Sequence, residues 1–376
     1  MNPLLVLKQS GQSVWLDFIT RQFMTDGKLK KLIDEDGLCG VTSNPTIFQK
    51  AISGGNEYDP AILDLIKQGK PTPEIFTELA IADIQQACDL FRPVYAKTEG
   101  ADGFVSLEVN PHLARDTRGT LKEAQQLFRR VNRPNVMIKI PATQEGLPAI
   151  EQALGEGINI NITLIFALER YQQVLDAWLA GLDRLLKSGK PLNSIASVAS
   201  FFVSRVDSLV DGLLDKKIVQ VQGAAREPLA ALQGKAAIAN AKRAYQMFLK
   251  TVQGPRFTLL ASRGARVQRP LWASTSTKNP KYRDVMYVEE LIGPDTVNTV
   301  PPQTVDAFRD HGQVRNSLMD NPADSLRILD QLGKAGIDMK QVTRQLEEDG
   351  VRLFTESYDY LITSLDRKRQ ALKVAQ

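Results

Sequence analysis

Apolar and β-branched residues recur in eight short runs: SVWLDFI (13–19), CGVTSN (39–44), GFVSLEVN (103–110), NVMIKIPA (135–142), NINITLIF (159–166), SIASVASFF (194–202), RPLWAST (269–275) and TVNTVP (296–301). Each has the length and composition of a single strand. Between them, stretches such as 117–131, 167–186 and 234–252 space their apolar residues three and four apart, the pattern of helices with one buried face. Strands alternating with helices predict parallel βαβ units, and eight such units predict an α/β fold closed into a (β/α)8 TIM barrel rather than an open sheet. The gaps at 50–102 and 203–268 read as extra helices. The chain from about 303 reads as a helical C-terminal tail, with one long helix through 341–373. No Gly/Pro/Ser-rich linker marks a boundary, so residues 1–376 are expected to form a single barrel domain with this extension.

Polar residues interrupt these runs in a consistent place. Side chains alternate between the two faces of a strand. In the fifth run Ile158, Ile160, Ile162 and Leu164 share one face, and Asn159, Asn161 and Thr163 share the other. An exposed edge strand and a polar barrel interior both account for that pattern. Asp17 shares a face with Trp15 and Ile19, Glu108 with Ser106, and Lys139 with Met137. Asn44, Ser200 and Ser274 stand late in their own runs. All lie toward the C-terminal ends of their strands, the end where barrels of this class build active sites. Each has a structural alternative: Asp17 as a helix cap, Glu108 paired with Arg115, Asn44 in an Asn-Pro turn. Taken together they put a lysine, two carboxylates, two asparagines and several hydroxyls around one mouth.

An ammonium group inside an apolar strand is costly to bury unless it is paired or neutral. A deprotonated lysine attacks a ketone to form a Schiff base, and the protonated imine stabilises the carbanion left when a neighbouring carbon–carbon bond breaks. Such chemistry needs no metal and two proton-handling groups, roles open to Asp17 and Glu108. Neighbouring Met137, Ile138 and Ile140 are expected to favour the neutral amine at Lys139.

Composition excludes other classes. The 47 basic and 43 acidic residues leave a charge of only +4 with no dominant cluster, so no nucleic-acid partner is expected. Arg367, Lys368 and Arg369 read as a solvated helix face. No apolar run approaches the ~20 residues of a membrane span. The start, MNPLLVLKQSGQSVW, lacks the plan of a secretory signal. Cys39 and Cys88 lack metal-ligand spacing and read as free thiols in a reducing cytoplasm. His112 and His311 are the only histidines, which counts against a serine–histidine triad or a multi-histidine metal centre. His311 reads as a helix-end residue. Neither G-x-G-x-x-G after an early strand nor a P-loop occurs, so no nucleotide cofactor is expected. Monomer and homodimer are both compatible with the sequence.

The motifs VWLDFITR, GVTSNPTIF, VSLEVNP, MIKIPAT, GININITLIF and WASTSTKNP, in this order over about residues 13–304, resemble those of the transaldolase family in its longer bacterial branch. The resemblance implies a barrel of the class I, Schiff-base aldolase type. It implies Lys139 as the imine-forming lysine, Asp17 as the base for the C4 hydroxyl of the donor, and Glu108 with Thr163 as holders of a catalytic water. It further implies that Asn44 and Asn161 bind the dihydroxyacetone moiety, and that Ser200, Arg205 and Ser274 bind substrate and phosphate. A guanidinium near a helix start independently suits a phosphate, with a surface salt bridge as the alternative. Where the shorter branch has Ser-x-Arg, this chain reads Ser274-Thr-Ser-Thr-Lys278, and Lys278 is the candidate for the second phosphate cation.

The implied reaction moves dihydroxyacetone from sedoheptulose 7-phosphate to glyceraldehyde 3-phosphate. It gives erythrose 4-phosphate and fructose 6-phosphate, a step of the non-oxidative pentose phosphate pathway. Two rivals are a fructose-6-phosphate aldolase, which releases dihydroxyacetone to water, and a catalytically silent sugar-phosphate-binding barrel. Phe202, where the aldolases tend to carry tyrosine, favours transfer. The intact lysine and carboxylate set argues against the silent barrel.

Overall fold

A computed structural model describes residues 2–374. Eight parallel strands close into a barrel in sequence order. They are β1 (Gln12–Leu16), β2 (Gly40–Val41), β3 (Phe104–Glu108), β4 (Val136–Pro141), β5 (Ile160–Ile165), β6 (Ser197–Phe202), β7 (Arg269–Ala273) and β8 (Thr296–Val300). β1 pairs with β8 over five positions, which closes the ring and leaves no edge strand. The polar row of β5 therefore faces the barrel interior: Asn159, Asn161 and Thr163 are all buried.

The interior is packed in tiers. At the N-terminal end the Trp15 indole crosses the barrel over Gly40, where a Cβ would lie 2.7 Å from the ring; only glycine leaves the space. Trp15 Nε1 donates to Asp102 Oδ1 at 2.9 Å. Arg269 lies 3.3 Å from the same carboxylate, and the Ser13 hydroxyl donates to it. Above this, Asn161 Nδ2 donates to Ser106 Oγ at 3.0 Å, and Ser200 Oγ donates to Asn161 Oδ1 at 2.7 Å. Two residues further along β3 and β4, Glu108 stands in register with Lys139, and Lys139 with Asn161. The polar interior thus rises from a closed floor to a charged rim.

Helices cover the outside of the barrel. The stretches 117–131, 167–186 and 234–252 form helices Thr117–Val131, Leu168–Lys187 and Ala236–Val252. The long gaps hold further helices, including Thr72–Lys97 and Ser204–Gln220. His311 ends the helix Pro302–His311. The C-terminal helix, Met339–Val374, is 36 residues long and folds back across the C-terminal mouth of the barrel. Ser357 on it hydrogen-bonds Thr46, and Gly350 packs against Leu164 at the end of β5. One expectation about this helix is corrected. Lys368 is not solvated but lies 2.6 Å from Asp59, because the helix docks against the segment that carries Asp59. Among the described residues no helix is long and apolar enough to cross a membrane.

Candidate active site

The C-terminal ends of the strands open into a cavity of about 580 Å³. Asp17, Asn44, Lys139, Thr163, Ser200, Arg205, Ser274 and Lys278 all line it. Glu108 touches it through Lys139, and Asn161 lies one tier below, fully buried with both ends of its amide hydrogen-bonded.

Lys139 is held by β4 with only 5% of its surface exposed. Its ammonium donates to the Ser43 carbonyl at 3.0 Å and approaches Glu108 Oε2 at 3.4 Å, without hydrogen-bond alignment. The Phe354 ring of the C-terminal helix lies 5.9 Å away. The expected apolar surround is corrected here. Ile138 and Ile140 sit on the opposite face of the strand, so the amine meets a carboxylate, a carbonyl and the face of an aromatic ring rather than aliphatic chains. Glu108 pairs with this lysine and not with Arg115.

Asp17 does not cap a helix; Thr20 caps the next one. Asp17 follows β1, and its backbone N–H still donates to Val300 O at 2.8 Å. Its carboxylate accepts from Thr42 Oγ1 at 2.7 Å, and Thr42 in turn meets Thr299 Oγ1 at 2.7 Å. Burial pushes the Asp17 carboxyl above its ordinary value, and the charge of Lys139 is the largest opposing influence. Burial raises Glu108 in the same way, again opposed mainly by Lys139. A lysine between two carboxylates that resist ionisation has bases of tunable protonation on both sides.

Thr163 owes its position to a break in the ladder. The pairing of β5 with β6 shifts between Ile162 and Ile165, and Leu164 adopts φ of 59°, a conformation uncommon for a leucine. The bulge turns Leu164 toward the C-terminal helix and leaves Thr163 Oγ1 facing the cavity. That hydroxyl and Glu108 Oε2 are buried side-chain oxygens with no hydrogen-bond partner. Thr163 and Lys139 line the same cavity, and Glu108 Oε2 stands 3.4 Å from the amine.

Asn44 caps the helix Pro45–Ser53, its Oδ1 accepting from Ile47 N–H at 3.0 Å. The amide nitrogen is left for the cavity. Arg205 begins the second position of the helix Ser204–Gln220, with Cζ 5.4 Å over the Phe202 ring. Burial holds its pKa below the ordinary value. Ser274 adopts φ of 57° and turns its hydroxyl to Ser204 Oγ at 3.0 Å. The serine that meets the lysine is Ser276, whose Oγ accepts from Lys278 Nζ at 2.7 Å. Sequence reasoning passed over Ser276, although Ser276-Thr-Lys278 keeps the Ser-x-cation spacing that Ser274 does not. It also missed Thr42, Lys50 and Phe354, which line the same cavity. A lining face at Ile47, Lys50 and Ala51 was legible as a helical spacing; Phe354 carried no local signal.

His112 sits just beyond β3, half-exposed, paired with Asp359 of the C-terminal helix at 2.7 Å. Cys39 and Cys88 are free and buried. Among the described residues no group of His, Cys, Asp and Glu side chains is arranged to hold a metal ion.

A family model described as Transaldolase/Fructose-6-phosphate aldolase matches residues 14–365. A transaldolase of Thermobifida fusca is 49% identical over 372 residues, 99% of this chain and 98% of that protein. A transaldolase of Trichodesmium erythraeum is 46% identical over 374 residues, again 99% and 98%. Transaldolase 2 of a Nostoc species is 45% identical over 376 residues, 99% of each chain.

Proposed function

Because the chain belongs to the transaldolase and fructose-6-phosphate aldolase family, we propose that Lys139 carries a dihydroxyacetone unit from one sugar phosphate to another as a Schiff base. The activity is that of a transaldolase, a transferase acting on sugar phosphates. The observation that carries the residue assignment is the buried lysine between two carboxylates at the floor of an open cavity.

The amine of Lys139 attacks the C2 carbonyl of the ketose donor. The resulting carbinolamine loses water, with Glu108 and Thr163 handling the water and its proton, and a protonated imine forms. Asp17 takes the proton of the C4 hydroxyl. The C3–C4 bond breaks, its electron pair moves toward the imine, and the shortened aldose leaves. The three-carbon enamine stays on Lys139, where its C3 attacks the aldehyde of the second aldose and Asp17 returns the proton. Water then releases the product ketose. Asn44 orients the hydroxyls of the three-carbon unit. Asn161 acts from below by fixing Ser200, which lines the cavity. Arg205, Ser276 and Lys278 take the phosphate, with Ser274 shaping their loop. The donor and acceptor pair implied by the motifs is sedoheptulose 7-phosphate and glyceraldehyde 3-phosphate.

Transfer rather than release to water is supported by Phe202. It lines the cavity under Arg205 and offers no hydroxyl to activate water against the enamine. We assign the protein to the cytoplasm, in line with two buried free thiols, and read residues 1–376 as one functional unit.

A borohydride trap tests the mechanism. Incubation with fructose 6-phosphate, reduction, and peptide mass spectrometry are expected to find a reduced three-carbon adduct on Lys139. Absence of any adduct on folded protein would favour a silent sugar-phosphate-binding barrel.

A further inference from the structure

Three cations line the site cavity and come from three separate elements: Arg205 from the helix after β6, Lys278 from the loop after β7, and Lys50 from the helix Pro45–Ser53. None of the three forms an ion pair with a carboxylate among the described residues. Two are tethered. Arg205 is stacked over Phe202, and Lys278 is bonded to Ser276. Lys50 makes no such bond. It alone of the three also lines an adjoining cavity of about 600 Å³, shared with Thr20, Arg21 and Gln22. That places it at the outer end of the site, away from Lys139. Lys278 is held below its ordinary pKa by burial first, then by Arg205, with Lys50 acting in the same direction, so the three charges share one field.

An unpartnered cation near two others is unfavourable on its own and becomes favourable around a dianion. With C2 of the donor fixed on Lys139, a phosphate on C7 reaches about 1.5 Å of chain farther than one on C6. A tethered guanidinium suits one phosphate position. A flexible lysine at the rim serves the farther one.

We propose that Lys50 is the outer phosphate cation of the site and sets its preference among donors, favouring a seven-carbon ketose phosphate over a six-carbon one. This rests on the transaldolase reading above. The structural alternative is that Lys50, in the last turn of its helix, only complements the helix dipole.

The test compares Lys50→Gln and Lys50→Arg with the wild type. For Lys50→Gln the KM for sedoheptulose 7-phosphate is expected to rise about tenfold and that for fructose 6-phosphate about threefold, with kcat within about twofold. Lys50→Arg recovers most of the loss. The dihydroxyacetone concentration that half-saturates trapping on Lys139 does not move, because dihydroxyacetone carries no phosphate. Equal KM changes for both phosphorylated donors, a matching shift with dihydroxyacetone, or no shift at all would overturn the proposal. A wild-type protein that traps no adduct would instead overturn the transaldolase reading itself.

Discussion

The two ends of this barrel each bury a cluster of charge, and they treat it in opposite ways. At the N-terminal end Asp102 is enclosed by donors: the Trp15 indole, the Ser13 hydroxyl, the Gly103 N–H and the Arg269 guanidinium. None of these residues lines the site cavity. At the C-terminal end Glu108 and Asp17 flank Lys139, yet among the described residues Glu108 Oε2 and Thr163 Oγ1 have no hydrogen-bond partner, and three cations form no ion pair with a carboxylate. Lys139 and Asp102 are buried alike, while Lys50 and Lys278 at the rim are exposed. The difference is completeness. A satisfied buried network specifies a fold, whereas an incomplete one holds capacity for a substrate, a water or a proton.

Substitutions at the open end are expected to remove activity and spare the fold. The largest effect falls on Lys139→Ala: transfer drops by at least about 10⁴-fold, with unchanged circular dichroism. Retained turnover in that variant would break the comparison at its centre. Asp17→Asn comes next, with kcat lowered about 10³-fold. The intact donor is still expected to be reduced onto Lys139, since imine formation precedes the step that Asp17 serves. A variant that also fails to form the first adduct would reassign Asp17 to donor binding.

The closed end should behave the other way. Asp102→Asn leaves the partly buried Arg269 without its counter-charge, and breaking a pair whose carboxylate is buried typically costs about 3 kcal/mol. Urea denaturation is expected to report that loss while kcat stays within about threefold. If kcat fell further than stability, the floor of the barrel would be coupled to the chemistry, and the two ends would not be independent.

What the sequence showed follows the same division. Short apolar, β-branched runs placed all eight strands, and late polar residues in seven of them marked the end where the cavity lies, because both depend on neighbours a few residues apart. Lys139, Asp17 and Glu108 were legible for that reason. β2 is short, Gly40 and Val41, since the chain beyond Thr42 turns so that Ser43 bonds Ser106 O and Asn44 caps a helix; the run 39–44 looks the same either way. Phe354 could not be read, because nothing local says that the C-terminal helix folds back over Lys139. Ser276 was lost to Ser274 because a loop has no periodicity to decide between them. Ile138 and Ile140 were counted as neighbours of the amine by their place in the sequence, when strand geometry turns them away.

The smallest predicted effect separates the two ends most sharply, because its sign differs. Glu108 has a folded pKa above its ordinary value of 4.5, with burial as the main cause. A raised carboxyl pKa means that the folded state holds the proton more tightly than the unfolded chain. Its contribution to stability is then fully present below the unfolded pKa and is lost as pH rises through the folded one. Above the unfolded pKa, Glu108 therefore works against folding. Replacing it with Gln, a neutral side chain of the same shape, is expected to raise stability at pH 8 by an amount on the order of 1 kcal/mol. The gain should shrink as pH falls toward 4.5. Imine formation and hydrolysis should slow about 10²-fold in the same variant. Thermal melts at several pH values check the sign. A loss of stability at pH 8 would mean that Glu108 is held by Lys139 as firmly as Asp102 is held by Arg269, and the two ends of the barrel would then differ in access to the cavity rather than in how completely their charges are satisfied.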